Sequence, residues 1–256
     1  MGKFIIALYT GTGNTLYVAK QFPGAEIHFM DEFLTGKYIL PEDTEKLGIF
    51  FPVYYGSYPY PVQEFVTKIL KGRDNTKLEY LFLINTAGRK SNITNYNLER
   101  LLFDAGLGVS YAASISFPSG YLGRHQKTLS EMKILAAANK RTTQIARIIQ
   151  ETSNNELRIP KYVPGAFLVH LISKHYNKPT ANSGLVVTDK CTGCQTCLKI
   201  CPMDNIEIVN NIASFKDHCI HCYACYHRCP AKAISYKNKT AGQYLGLVET
   251  KELFRR

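Results

Sequence analysis

Cys191-Thr192-Gly193-Cys194-Gln195-Thr196-Cys197-Leu198-Lys199-Ile200-Cys201-Pro202 returns 28 residues on as Cys219-Ile220-His221-Cys222-Tyr223-Ala224-Cys225-Tyr226-His227-Arg228-Cys229-Pro230 (219 − 191 = 28). Ile206 and Ile234 extend the repeat, and the two runs contain all 8 cysteines of the 256-residue chain. Self-similarity of this kind marks a duplicated structural unit. Four disulfides would suit a small exported scaffold, but the start of the chain, Met1-Gly2-Lys3-Phe4, leads into no cleavable export signal. A metal reading is therefore preferred. Zinc also takes four thiolates, yet its sites are built from pairs of C-x2-C knuckles and do not need a C-x2-C-x2-C-x3-C-P run repeated twice.

Three cysteines spaced by two residues form a tight loop that wraps one face of an iron–sulfur cube, with backbone N–H groups aimed at the inorganic sulfurs. The fourth stands at the start of the next segment and reaches the other cube, the ligation known for this run in two-cluster ferredoxins. The expected ligand sets are thus crossed: Cys191, Cys194, Cys197 and Cys229 for one [4Fe-4S] cluster, and Cys219, Cys222, Cys225 and Cys201 for the other. Over residues 185–237 the sequence resembles bacterial-type two-cluster ferredoxins. It departs from them in placing Gln195 and Tyr223 where glycine is frequent, which is expected to alter hydrogen bonding to sulfur. With all eight ligand positions filled, His218, His221 and His227 are expected at the surface.

Upstream, apolar runs at 4–9, 26–29, 47–53, 78–85 and 111–117, rich in Ile, Val, Leu and aromatic residues, predict buried strands. Between them, Val62, Phe65, Val66, Ile69 and Leu70 recur at helical spacing, 97–105 ends before Gly106, and 127–150 is Ala-rich and long. Alternation of this kind predicts an α/β fold, a doubly wound five-stranded parallel sheet, because parallel strands need crossovers. Pro41-Glu42-Asp43 leaves little room for a full second helix.

Tyr9-Thr10-Gly11-Thr12-Gly13-Asn14-Thr15 lies between the first strand and first helix. Its glycines let successive N–H groups curl inward, and Thr10, Thr12, Asn14 and Thr15 add donors, as a phosphate requires. The spacing is neither G-x-G-x-x-G nor a Walker loop. It resembles the phosphate loop of flavodoxins, and that resemblance, covering most of residues 1–151, implies FMN at the switch point between strands one and three. The aromatic wall for the flavin is then expected from Pro52-Val53-Tyr54-Tyr55-Gly56, with Tyr54 or Tyr55 against the ring. A second contact is expected from Thr86-Ala87-Gly88 after Asn85, helped by Pro118-Ser119-Gly120-Tyr121.

The pattern breaks at Thr152 and is punctuated by Pro160, Pro164 and Pro179. The expected organisation is a flavodoxin-like domain at 1–160, a connector at 161–183, a smaller α+β two-cluster ferredoxin domain at 184–240 and a C-terminal tail at 241–256. Phe167-Leu168-Val169 in the connector is expected to pack on a domain. The whole resembles flavodoxin–ferredoxin fusion proteins of anaerobes, which implies electron transfer through FMN and two [4Fe-4S] clusters. Two other readings stay open: a flavin-dependent reductase acting on a small substrate with the clusters as its electron feed, and a binding module that uses clusters as folding staples.

Lys and Arg exceed Asp and Glu by 18 to 14 over residues 1–160 and by 13 to 6 over 161–256, for +11 in all. The negative charge of two cubes and a phosphate lowers this to roughly +5, which suits an acidic redox partner; a second copy of the chain is another candidate partner. No base-reading element is visible, and nucleic acid is not expected. The longest late apolar stretch, 163–172, is too short to span a membrane, and a cytoplasmic protein is expected.

Overall fold

A computed structural model describes residues 2–88, 91–120, 129–151, 165–176, 178–181, 183–237 and 242–255. Tyr121, Lys127, Pro160 and Pro164 lie outside the described residues.

The first half runs β1 (Lys3–Leu8), α1 (Asn14–Ala19), β2 (Glu26–Phe29), α2 (Met30–Leu34), β3 (Thr44–Pro52), α3 (Tyr60–Glu64), β4 (Tyr80–Ala87), α4 (Asn92–Phe103), β5 (Tyr111–Ser116) and α5 (Leu129–Glu151). All five strands pair in parallel in the order β2-β1-β3-β4-β5. This is the doubly wound order of flavodoxin-like domains. The second crossover is the 5-residue α2, as the proline-marked stretch before β3 foretold. After α3, with Pro61 in its first turn, the chain widens into a π-helical turn, Phe65–Leu70.

Strand periodicity divides the core. Ile6, Leu8, Phe50, Phe82 and Ile84 meet α1 and α5 on one face, while Ile5, Ala7, Ile49, Phe51, Leu81 and Leu83 meet α3 and α4 on the other. Gly48 in β3 is required by packing: a Cβ there would lie 2.7 Å from both the Phe50 and Phe82 rings.

Connector helix α6 (Ala166–Tyr176) packs against α4, with Ala166 and Ser173 buried and Leu168 outward. The second half holds β6 (Leu185–Val187), α7 (Thr196–Ile200), β7 (Ile206–Val209), β8 (Ile212–Phe215), α8 (Ala224–Arg228) and β9 (Ile234–Tyr236). β6 pairs with β9 and β7 with β8, both antiparallel. The second half is not tethered loosely: Ile200 and Ala224 belong to one face's core and Ile220 to the other's. Residues 242–255, ending in a 3-10 turn at Thr250–Leu253, return to the first half and bury Val248 and Leu253 in that core.

Candidate functional site

β1 and β3 are adjacent, and their crossovers leave on opposite faces, so the loops at their C-terminal ends diverge and open a crevice. A cavity of about 360 Å³ lies there, within the range of small-molecule sites. Thr10, Gly11, Thr12, Asn14 and Thr15 form one side. Pro52, Val53, Tyr54 and Tyr55 form a second, and Thr86, Ala87 and Gly88 a third. Phe117, Pro118, Ser119 and Gly120 follow β5, and the remaining wall comes from the second half: His221, Cys222 and Tyr223.

Two expected residues do not line the cavity. Gly13 is the N-cap of α1 at φ 102, where glycine is needed, and its open side faces Val248. Gly56 serves a tight turn in which Tyr54 and Ser57 exchange backbone hydrogen bonds of 2.9 Å. The two central residues, Tyr55 at φ 49 and Gly56 at φ 79, both need the left-handed region. The turn presents Tyr55 at the mouth, edge-on to His221.

Among the described residues, the N–H groups of Thr10, Gly11, Thr12 and Gly13 donate to no backbone carbonyl, so they remain donors for an anion. Thr15 Oγ1 lies 2.8 Å from Thr86 Oγ1 and ties the loop to β4. On the loop's other side, Arg255 Nη2 donates to Thr10 O at 2.9 Å, Arg228 Nη2 to Thr12 O at 2.9 Å and Tyr244 Oη to Asn14 Oδ1 at 2.8 Å. Gly11 is one place where the halves meet tightly: a Cβ there would run into Tyr54 Oη and fall 3.0 Å from Cys222 O. Burial first, then the neighbouring Cys222, holds the Tyr54 phenol well above its ordinary pKa, keeping it a neutral donor.

Beyond this wall the cysteines form two groups. Cys191, Cys194, Cys197 and Cys229 line one pocket. Cys201, Cys219, Cys222 and Cys225 line the other. Each run therefore contributes its fourth cysteine to the other run's pocket. Four cysteines lining each pocket, three from one run and the fourth from the other, are the donor set a polynuclear cluster takes. Asn205 N–H donates to Cys201 Sγ at 3.3 Å and Ala233 N–H to Cys229 Sγ at 3.2 Å, repeat-equivalent bonds that favour thiolate. Burial first, then the neighbouring cysteines, pushes the Cys222 thiol up to about 12 and Cys197 to about 11. Only a cation at the same place makes such groups thiolates at neutral pH.

Gln195 and Tyr223 are the N-caps of α7 and α8, both left-handed, at φ 63 and 54. The frequent glycine at this position thus answers a backbone demand, and these residues meet it despite their side chains. His227 corrects the expectation of surface histidines. It is fully buried, its Nδ1 accepts from Tyr244 N–H at 3.0 Å, and its Nε2 donates to Gly120 O at 2.8 Å. Nothing in the cysteine spacing signals this, because its partners lie outside the repeat.

Residues 190–234 match the 4Fe-4S dicluster domain family. Among solved structures the chain is similar to the Trp repressor binding protein from Bacillus subtilis, at 15% identity and TM-score 0.36 over 54% of this chain and 94% of that one. It is also similar to the NAD(P)H:quinone oxidoreductase from Methanothermobacter marburgensis, at 11% identity and TM-score 0.35 over 58% and 94%. A third is an NADPH-quinone reductase from P. pentosaceus, at 14% and 0.34 over 56% and 98%. No curated protein matches the chain. The sheet order and the dicluster match together define the class: a flavodoxin-like domain fused to a two-cluster ferredoxin domain. Among the described residues no helix is long and apolar enough to cross a membrane.

Proposed function

We propose that this chain is an electron-transfer protein that holds FMN in the switch-point cavity and a [4Fe-4S] cluster in each cysteine pocket. One observation carries the reading: Cys222 and Tyr223 line both the cavity and the second pocket, so a single stretch of backbone separates the two sites. When bound, the flavin supplies a store for one or two electrons and each cluster a store for one.

The chain's own residues supply ligation, orientation and exclusion of water. Cys191, Cys194, Cys197 and Cys229 ligate one cluster, and Cys219, Cys222, Cys225 and Cys201 the other. The N–H groups of Thr10, Gly11 and Thr12 and the hydroxyls of Thr10 and Thr12 bind the phosphate. Tyr54 and Tyr55 provide the aromatic wall, and Thr86, Ala87 and Gly88 a backbone edge opposite it. Cys194 is exposed while Cys222 and Cys225 sit deeper, which makes the first pocket the docking end for a soluble, acidic partner.

Anaerobic reconstitution with iron, sulfide and FMN tests the reading. It should yield about eight iron atoms and one flavin per chain. Zinc held in place of iron, or no flavin retained, would overturn it, and turnover of a small substrate without a second protein would replace the carrier by a reductase.

A further inference from the structure

Two arginines are buried behind the loop at residues 10–15. Arg255, with a side chain 3% exposed, pairs with Asp31 at 2.6 Å, lies over the Phe29 ring and donates to Thr10 O. Arg228, 5% exposed, donates to Val248 O at 2.9 Å and to Thr12 O. Among the described residues it makes no ion pair, and Glu252 acts on it only from beyond ion-pair distance, although a buried guanidinium ordinarily has a counter-charge in contact. Its Nη2 lies 3.3 Å from where a Gly13 Cβ would stand, so the positive charge abuts the loop itself. Tyr244 completes the set through Asn14. None of the three belongs to the flavodoxin-like half: Arg228 is on α8 between Cys225 and Cys229, and the other two are in residues 242–255.

Resting on the FMN reading above, we propose that Arg228, Arg255 and Tyr244 are positioning residues that confer selectivity for the phosphate-bearing flavin. They pull the loop's carbonyls outward, which leaves its N–H groups directed at the cavity, and Arg228 supplies the counter-charge. The phosphate site is therefore completed only when the second half and its C-terminal strap are docked. Affinity for FMN depends on them, whereas affinity for riboflavin, which has the ring but no phosphate, does not.

The test titrates iron-loaded full-length protein with FMN and with riboflavin, following flavin fluorescence, for wild type, Arg228→Met, Arg255→Met, Arg255→Lys and Tyr244→Phe. Iron content in each variant verifies that the clusters are retained. The expected result is a loss of FMN affinity of at least about tenfold in the Met variants, a smaller loss in Tyr244→Phe, partial rescue in Arg255→Lys and unchanged riboflavin affinity throughout. Equal losses for both flavins would reduce the residues to structural ones and overturn the proposal, as would unchanged FMN affinity. Because Tyr244→Phe removes one hydroxyl and keeps the ring, it preserves the test if an arginine variant fails to fold. Wild type binding neither flavin would instead defeat the FMN reading itself.

Discussion

The two cysteine runs are one motif in two environments. Their helices begin at left-handed caps with φ 63 and 54 and end at Cys201 and Cys229 with φ −70 and −68, so the repeat alone dictates ligand geometry. What surrounds each differs. In the first run Gly193 has φ 66, and a Cβ there would lie 1.9 Å from Asn211 Oδ1. The equivalent position in the second run is His221 at φ 55, whose ring reaches out to Tyr55. One copy is closed against its own β-hairpin and exposes Cys194; the other has its backbone against Gly11 and Tyr54 of the flavodoxin-like half. Duplication supplies the ligands, and docking then separates a solvent-facing pocket from a cavity-facing one.

The sharpest way to break this comparison is Cys201→Ala. This variant should abolish the cluster of the cavity-facing pocket, although Cys201 belongs to the first run, and leave the other intact. Electron paramagnetic resonance showing loss confined to the Cys191, Cys194 and Cys197 pocket would end the crossed scheme. A smaller but still large effect is expected from Gly11→Ala. The added methyl meets Tyr54 Oη and Cys222 O, and overpacking of this kind costs about 1–3 kcal/mol. FMN affinity should fall accordingly, while the cluster of the exposed pocket is unaffected. Under air or a chelator the exposed pocket should lose iron first, giving two phases of bleaching; a single phase would deny the difference in exposure. The least effect belongs to His221→Gly. It restores the repeat's glycine and removes the ring contact with Tyr55, for about 0.5–1.5 kcal/mol, read as a modest rise in the FMN dissociation constant.

Much of this was legible in the chain. Parallel strands buried on both faces write themselves as apolar runs, which is why all five strands follow from positions such as Ile5, Ile49 and Leu83, whereas the helix expected at 97–105 spans Asn92–Phe103. Of the residues expected around a flavin, all but Gly13 and Gly56 line the cavity; those two glycines answer local φ demands that look the same in sequence as a ligand contact. His221, Tyr223, Arg228 and Arg255 were not foreseen as partners of the loop. Their contacts span separations such as Thr12 to Arg228 and Thr10 to Arg255, and no periodicity or motif encodes a pairing between two domains. The buried His227 was missed for the same reason.

The central claim is that the cavity and the nearer cluster pocket form one redox unit within a single chain. Flash photoreduction of the fully loaded protein, followed at flavin and cluster wavelengths over a range of concentrations, tests it most directly. The account predicts that the cofactors re-equilibrate with one first-order rate that does not change with dilution. A rate that rises in proportion to protein concentration would contradict it, showing that exchange requires a second molecule.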